Sequence, residues 1–149
     1  MGIYLATKTY AHNDGLSCCY RQWRATDNRA RLHGYNLSIK MVFECHHLDD
    51  SFQTVDLATI APIDDWVHNQ FHNTTLIAAD DPELDSFRAL ADKGVIDLRI
   101  VEATTVEKFA ASLLVFAKQW MESTGLLTRA TIRSVECSEH DGLTGLYVE

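Results

Sequence analysis

The chain predicts an α+β fold: a four-stranded antiparallel sheet with helices packed on one face, strands and helices following one another as β-β-α-α-β-β. Three features lead there. Tyr35, Leu37, Ile39, Met41, Phe43 and Cys45 alternate with Asn36, Ser38, Lys40, Val42 and Glu44, and a two-residue period this long requires one buried and one open sheet face. Phe109, Leu113, Phe116 and Trp120 recur at helical spacing and form an apolar stripe suited to covering such a sheet. Two strand-like runs close the chain around Asp141-Gly142, a pair that favours a tight hairpin turn.

Each element follows from local chemistry. Ile3 to Tyr10, resuming at Leu16 to Trp23, reads as the strand preceding the alternating run, interrupted by a turn or bulge at His12-Asn13-Asp14-Gly15. Asp56 to Gln70 reads as a helix with Ile60, Ile63, Trp66 and Val67 on its inner side and Pro62 in its first turn or at a kink. Pro82 to Lys93 reads as a shorter helix, capped by Asp81 and stopped by Gly94. Val95 to Val101 is a short strand. Thr104 or Thr105 caps the long helix, with Glu107 as the partner of a capping box, and Gly125 ends it. Leu127 to Cys137 and Leu143 to Val148 are the closing strands.

One domain spanning 1–149 accounts for the length, and no linker, repeat or low-complexity stretch divides it. The formal net charge of −8 argues against nucleic acid as a partner, because phosphate binding requires clustered cations. Arg21, Arg24, Arg29 and Arg31 are the one basic cluster; they form either an anion site or, with more weight, a solvated loop. No apolar run reaches the ~20 residues of a membrane span, and the first residues lack the layout of a signal peptide. These features lead us to expect a cytoplasmic protein without a membrane partner. Cys18, Cys19, Cys45 and Cys137 contain no CxxC pair, so free thiols are expected in a reducing compartment. His46, His47, Asp49 and Asp50 follow a strand end and read as a solvated loop. His68 and His72 stand one helical turn apart, a two-ligand spacing that lacks an adjacent third ligand.

Leu16-Ser17-Cys18-Cys19-Tyr20, Leu32-His33-Gly34-Tyr35, Val55-Asp56-Leu57, Thr104-Thr105-Val106-Glu107 and Val135-Glu136 together resemble the 6-pyruvoyl-tetrahydropterin synthase / 6-carboxytetrahydropterin synthase family, from Leu16 to about Val148. The resemblance implies the family's tunnelling fold and a homo-oligomeric ring, a hexamer being one form. It implies a zinc held by three histidines, which would polarise substrate oxygens. His33 matches one ligand. Tyr35 and Tyr20 stand at the other two positions, and a phenol is a poor zinc ligand at neutral pH. His12, ending Thr9-Tyr10-Ala11-His12, is a second candidate for the missing ligand. The cofactor expected is therefore zinc or none.

Arg29 stands where the family carries its catalytic cysteine. The family's Asp-His pair falls on His72 and on Asn73 or Thr74, which leaves His72 as the candidate base. Glu136 matches the carboxylate that anchors the pterin, and Glu107 matches a second ligand-binding position. By strand parity Glu136 would share a face with Ala130 and Ile132, and the alternative is a solvated residue paired with Arg133.

Three functions follow as expectations. The first is a pterin- or purine-binding protein that has lost zinc-dependent lyase chemistry. The second is a working lyase on 7,8-dihydroneopterin triphosphate, using His33, His12 and His72. The third is a ring-shaped structural or interaction protein.

Overall fold

The computed structural model describes residues 2–140 and 142–149. Its main sheet is four-stranded and antiparallel, in the order β1 (Tyr4–Tyr10), β4 (Ser38–Cys45), β7 (Ala130–His140), β8 (Leu143–Val148). The expected α+β arrangement is present. A second four-stranded sheet lies beside it, in the order β3 (His33–Asn36), β2 (Ser17–Tyr20), β5 (Thr74–Ala78), β6 (Leu98–Val101). In this small sheet β2 and β3 are antiparallel, whereas β5 runs parallel to both β2 and β6.

The two long strands expected from the alternating runs each divide between the sheets. The first divides over 11–16 and the second at Leu37, whose amide donates to Leu16 O at 2.9 Å and staples the two breaks together. Strand β5 has no counterpart in the sequence reading. All five of its residues are buried, so it carries no alternation to reveal it, as is usual for a strand paired in parallel and covered on both faces.

Helix α1 (Ala61–Phe71) begins later than the sequence suggested. Asp56 instead caps a 3-10 turn at Leu57–Thr59 by accepting from Ala58 N, and Pro62 sits in the first turn of α1, where its missing N–H costs nothing. Helix α2 spans Leu84–Asp92 and stops before Gly94, which takes φ +74. Helix α3 (Val106–Ser123) is capped by Thr105, whose Oγ1 accepts from Lys108 N. That cap places Lys108, not Glu107, at the third helical position, so the expected capping box does not form. Gly125 leaves α3 at φ +76. The expected Asp141-Gly142 turn falls between β7 and β8, and Asp141 lies outside the described residues.

The core lies between the main sheet and α3. Leu37, Ile39, Met41 and Phe43 face Leu113, Leu114, Ala117 and Met121, all at most 2% exposed. Burying each of these large side chains stabilises the fold by roughly 1.5–3 kcal/mol. Strand β8 reaches α3 through Gly145, where a Cβ would stand 2.7 Å from Glu107 N.

Arg21 and Asp81 join the small sheet to the loop before α2. Arg21 donates through Nε at 2.8 Å and through Nη2 at 2.6 Å, and Asp81 also accepts from Glu83 N. These guanidinium hydrogen bonds hold the Asp81 carboxyl below the usual carboxylate range. A lowered folded-state pKa stabilises the protein above the unfolded value of about 4 and loses that contribution as pH falls through the folded value. Asp81→Asn is expected to cost about 2 kcal/mol at neutral pH. It should also flatten the acid limb of the stability curve, which denaturant melts between neutral and acid pH would measure.

Candidate functional site

Several positions singled out in the sequence lie where β2, β3 and the end of β7 meet. In the antiparallel pairing Tyr20 faces His33 and Cys18 faces Tyr35, so these four side chains leave the same face of the small sheet. Tyr20 is 1% exposed, and its ring stacks on Tyr35 with centroids 4.5 Å apart. Phe109 of α3 meets Tyr20 edge-on at 5.1 Å. The Tyr20 hydroxyl donates to Glu139 of β7. Burial, then the Glu139 hydrogen bond, pushes the Tyr20 phenol far above its ordinary value, and burial likewise raises Tyr35.

Glu139 is the residue the sequence reading missed. In the β7–β8 ladder Ser138 pairs with Thr144 and His140 with Leu143, so Glu139 is an extra residue in a bulge. Bulges re-aim side chains, and this one turns a half-buried carboxylate onto the tyrosine stack. An open cleft of about 520 Å3 runs past it, lined by His12, Gly34, Tyr35, Asn36, Glu139 and His140.

A second bulge decides the position of Glu136. Val42 pairs with Ser134 and Phe43 with Ile132, leaving Arg133 unpaired in the ladder. The two-residue rhythm therefore changes phase at 133. Ala130 and Ile132 are buried before it, and Val135 and Cys137 after it. Glu136 consequently stands on the face opposite the core, opposite Lys40 in register, and does not share the face of Ala130 and Ile132 as simple parity required. Arg133 pairs instead with Glu44, at 3.4 Å.

The other candidates are dispersed. His33 is exposed and donates from Nε2 to Asn28 O at 2.7 Å. His12 lies at the rim of the cleft and donates from Nδ1 to Asn36 O at 2.5 Å. His72 lies at the end of α1, donating from Nδ1 to Gly15 O at 2.6 Å, and is not among the residues lining the cleft. Glu107 is exposed in the first turn of α3. Arg21, Arg24 and Arg29 each hold a carboxylate, from Asp81, Asp80 and Asp27 respectively, so the arginine cluster is largely neutralised from within. All four cysteines are free, and burial raises the Cys18 thiol to about 12, which keeps it protonated at neutral pH.

Zinc would require nitrogen, sulfur or carboxylate donors here. Its three expected positions hold one imidazole and two phenols. The more buried phenol is held protonated by Glu139, and the imidazole turns to a backbone carbonyl. Among the described residues, no three histidine, cysteine, aspartate or glutamate side chains are grouped to hold a metal ion. The donor set does not fit zinc.

The sequence pattern of the 6-pyruvoyl tetrahydropterin synthase family matches residues 10–148. No curated protein matches the chain. Among solved structures, an uncharacterized protein from Wolinella succinogenes superposes with a TM-score of 0.81 at 17% identity, over 100% of this chain and 99% of that one. A catalytic-residue mutant of 6-pyruvoyltetrahydropterin synthase from Plasmodium vivax superposes with a TM-score of 0.70 at 13% identity, over 100% and 99%. The 6-pyruvoyl tetrahydropterin synthase of Caenorhabditis elegans gives 0.65 at 17% identity, over 100% and 97%. Likeness at these identities shows the tunnelling fold. Among the described residues, no helix is long and apolar enough to cross a membrane.

Proposed function

We propose, for a chain that belongs to the 6-pyruvoyl tetrahydropterin synthase family, that it binds a pterin or purine-like bicycle in the Tyr35–Glu139 cleft without its family's zinc-dependent lyase step. The observation that carries this reading is the bulged Glu139 beside the Tyr20–Tyr35 stack. A carboxylate accepts two parallel hydrogen bonds from an amidine-like edge, and an adjacent aromatic ring offers its face to a planar bicycle. The anchoring role expected of Glu136 from the sequence passes in this proposal to Glu139, because Glu139 is the acid that meets the tyrosines. The loss of zinc donors and the arginine in place of the cysteine support binding over turnover.

The proposed assembly is a homo-oligomeric ring, with the cleft close to a junction between copies. The main sheet ends in β1 and β8, whose outer edges are unpaired among the described residues and carry the exposed Tyr4, Leu5, Leu146 and Val148. Such edges favour strand-to-strand pairing with another copy. Light scattering is expected to give a multiple of the chain mass, and a monomer would count against the ring.

Thermal melts with neopterin and with guanosine test the ligand. At a concentration of ~100 times Kd, either should stabilise the chain by about 2.7 kcal/mol, or roughly 5–10 °C. Glu139→Gln should abolish that shift, whereas Glu136→Gln should retain it. A shift unchanged in Glu139→Gln, no shift with either compound, or turnover of 7,8-dihydroneopterin triphosphate would overturn the proposal.

A further inference from the structure

A second cavity opens beyond the carboxyl ends of β2, β5 and β6 and shares no lining residue with the Tyr35–Glu139 cleft. These three strands run parallel, and the crevice outside the carboxyl ends of parallel strands is a recurrent place for ligands. The cavity measures about 290 Å3, and Arg29 lines it. The 3-10 turn that carries this arginine, Asn28–Ala30, is pinned at every carbonyl. Asn28 O accepts from His33 Nε2 at 2.7 Å, Arg29 O from Gln22 N at 2.8 Å, and Ala30 O from Arg21 Nη1 at 3.0 Å. The turn is therefore preorganised before any ligand arrives.

Asp27 fixes the stem of Arg29, accepting from its backbone N at 3.0 Å and from Nε at 3.0 and 3.1 Å. All of that pairing falls on Nε. Nη1 and Nη2 have no hydrogen-bond partner among the described residues, and the side chain is 61% exposed, so their outer edge is open to a ligand. The acids that share the cavity are already engaged. Asp80 accepts from Trp23 Nε1 at 3.1 Å and from Arg24 Nη2 at 2.7 Å, and Glu102 accepts from Lys108 Nζ at 2.9 Å. Arg24, Arg29 and Lys108 thus balance Asp27, Asp80 and Glu102, which admits a single added negative charge more readily than two. Arg24 also covers the Trp23 ring at 4.2 Å and steadies the indole in the cavity wall. An apolar cavity of about 150 Å3 accommodates benzene, so this one has room for a fused two-ring system.

We propose that this cavity binds a small planar monocarboxylate, whose two oxygens accept end-on from Arg29 Nη1 and Nη2 while its apolar body lies against Trp23 and Ala103. A guanidinium edge with two free N–H groups matches a carboxylate in spacing and in plane. Thr105, which opens α3, also lines the cavity, so the positive end of that helix adds to the attraction. The site is independent of the pterin or purine cleft.

2-Naphthoate and 2-naphthamide form the discriminating pair of probes, since they share a shape and only the first is charged. Each is titrated into the full chain while the Trp23 side-chain N–H is followed by NMR, assigned with Trp23→Phe. Naphthoate is expected to shift that signal saturably and to bind at least ~tenfold more tightly than the amide. In Arg29→Gln the two should bind alike. Arg29→Lys keeps the charge without the fork, and there the preference should fall by about threefold or more. Absence of a saturable shift with either probe would overturn the proposal, as would equal affinity in the unmodified chain. A preference that persists undiminished in Arg29→Gln would overturn it as well, and so would displacement of naphthoate by an equal concentration of inorganic phosphate. The ratio in the unmodified chain decides the matter even where a variant does not fold.

Discussion

A chain carrying both Tyr20→His and Tyr35→His is expected to acquire tightly bound zinc, close to one ion per chain, where the natural sequence purified in the same way holds far less. The reason is geometric. Tyr20, Tyr35 and His33 leave one face of the β2–β3 pair, and the two phenols stack within 4.5 Å of each other. Two imidazoles in their place would complete, with His33, the three-nitrogen set that zinc favours. Removing Tyr20 also frees the Glu139 carboxylate, which would then lend charge or a hydrogen bond to the new site. Metal analysis by mass spectrometry on protein purified without chelator or tag gives the answer directly. Adding His33→Ala to the double variant should abolish the gain. Stoichiometric zinc in the natural chain would refute a zinc-free tyrosine stack, as would a double variant that stays empty.

Gly145→Val should cost about 3 kcal/mol or more, the largest stability loss expected from a single substitution outside the cleft. Gly145 is buried where β8 crosses the start of α3. A Cβ there would stand 2.7 Å from Glu107 N, 2.8 Å from Val106 Cγ2 and 2.9 Å from Val106 C. Two of those atoms are backbone in the first turn of the core helix, so relief requires that β8 or α3 move as a unit. For a chain of this size the loss corresponds to roughly 6–12 °C in Tm. Gly34→Ala is the matched control, because a Cβ there meets nothing within 4 Å, and its effect should lie within about 0.5 kcal/mol. A Gly145→Val melt indistinguishable from that control would mean that β8 and α3 are not close-packed at this crossing.

What the sequence disclosed depended on whether periodicity survived. Strand β4 declared itself because one of its faces is buried and the other open. The stripe of α3 did so for the same reason, and Gly94 and Gly125 marked helix ends through backbone angles that other residues resist. Strand β5 remained hidden because burial on both sides erases alternation. The site was half legible. Tyr35 and Tyr20 stand at positions the sequence singles out, and the structure stacks them, while His33 shares their sheet face but turns to Asn28 O. Glu139 was passed over because two-residue counting carries no record of an unpaired position, and Arg133 and Glu139 are both unpaired in their ladders. The carboxyl-to-phenol contact spans 119 residues, a separation that no local pattern encodes.

The unpaired Arg133 gives β7 an unusual tolerance. Phe43 and Val42 are neighbours that already pair with Ile132 and Ser134, so deleting Arg133 would make those two partners consecutive and restore plain alternation. Val135 and Cys137 would stay on the buried face and Glu136 on the other. Lineages that carry this strand should therefore differ freely at position 133, even to the point of lacking it. Related chains are best compared here by counting residues back from the β7–β8 hairpin rather than forward from α3.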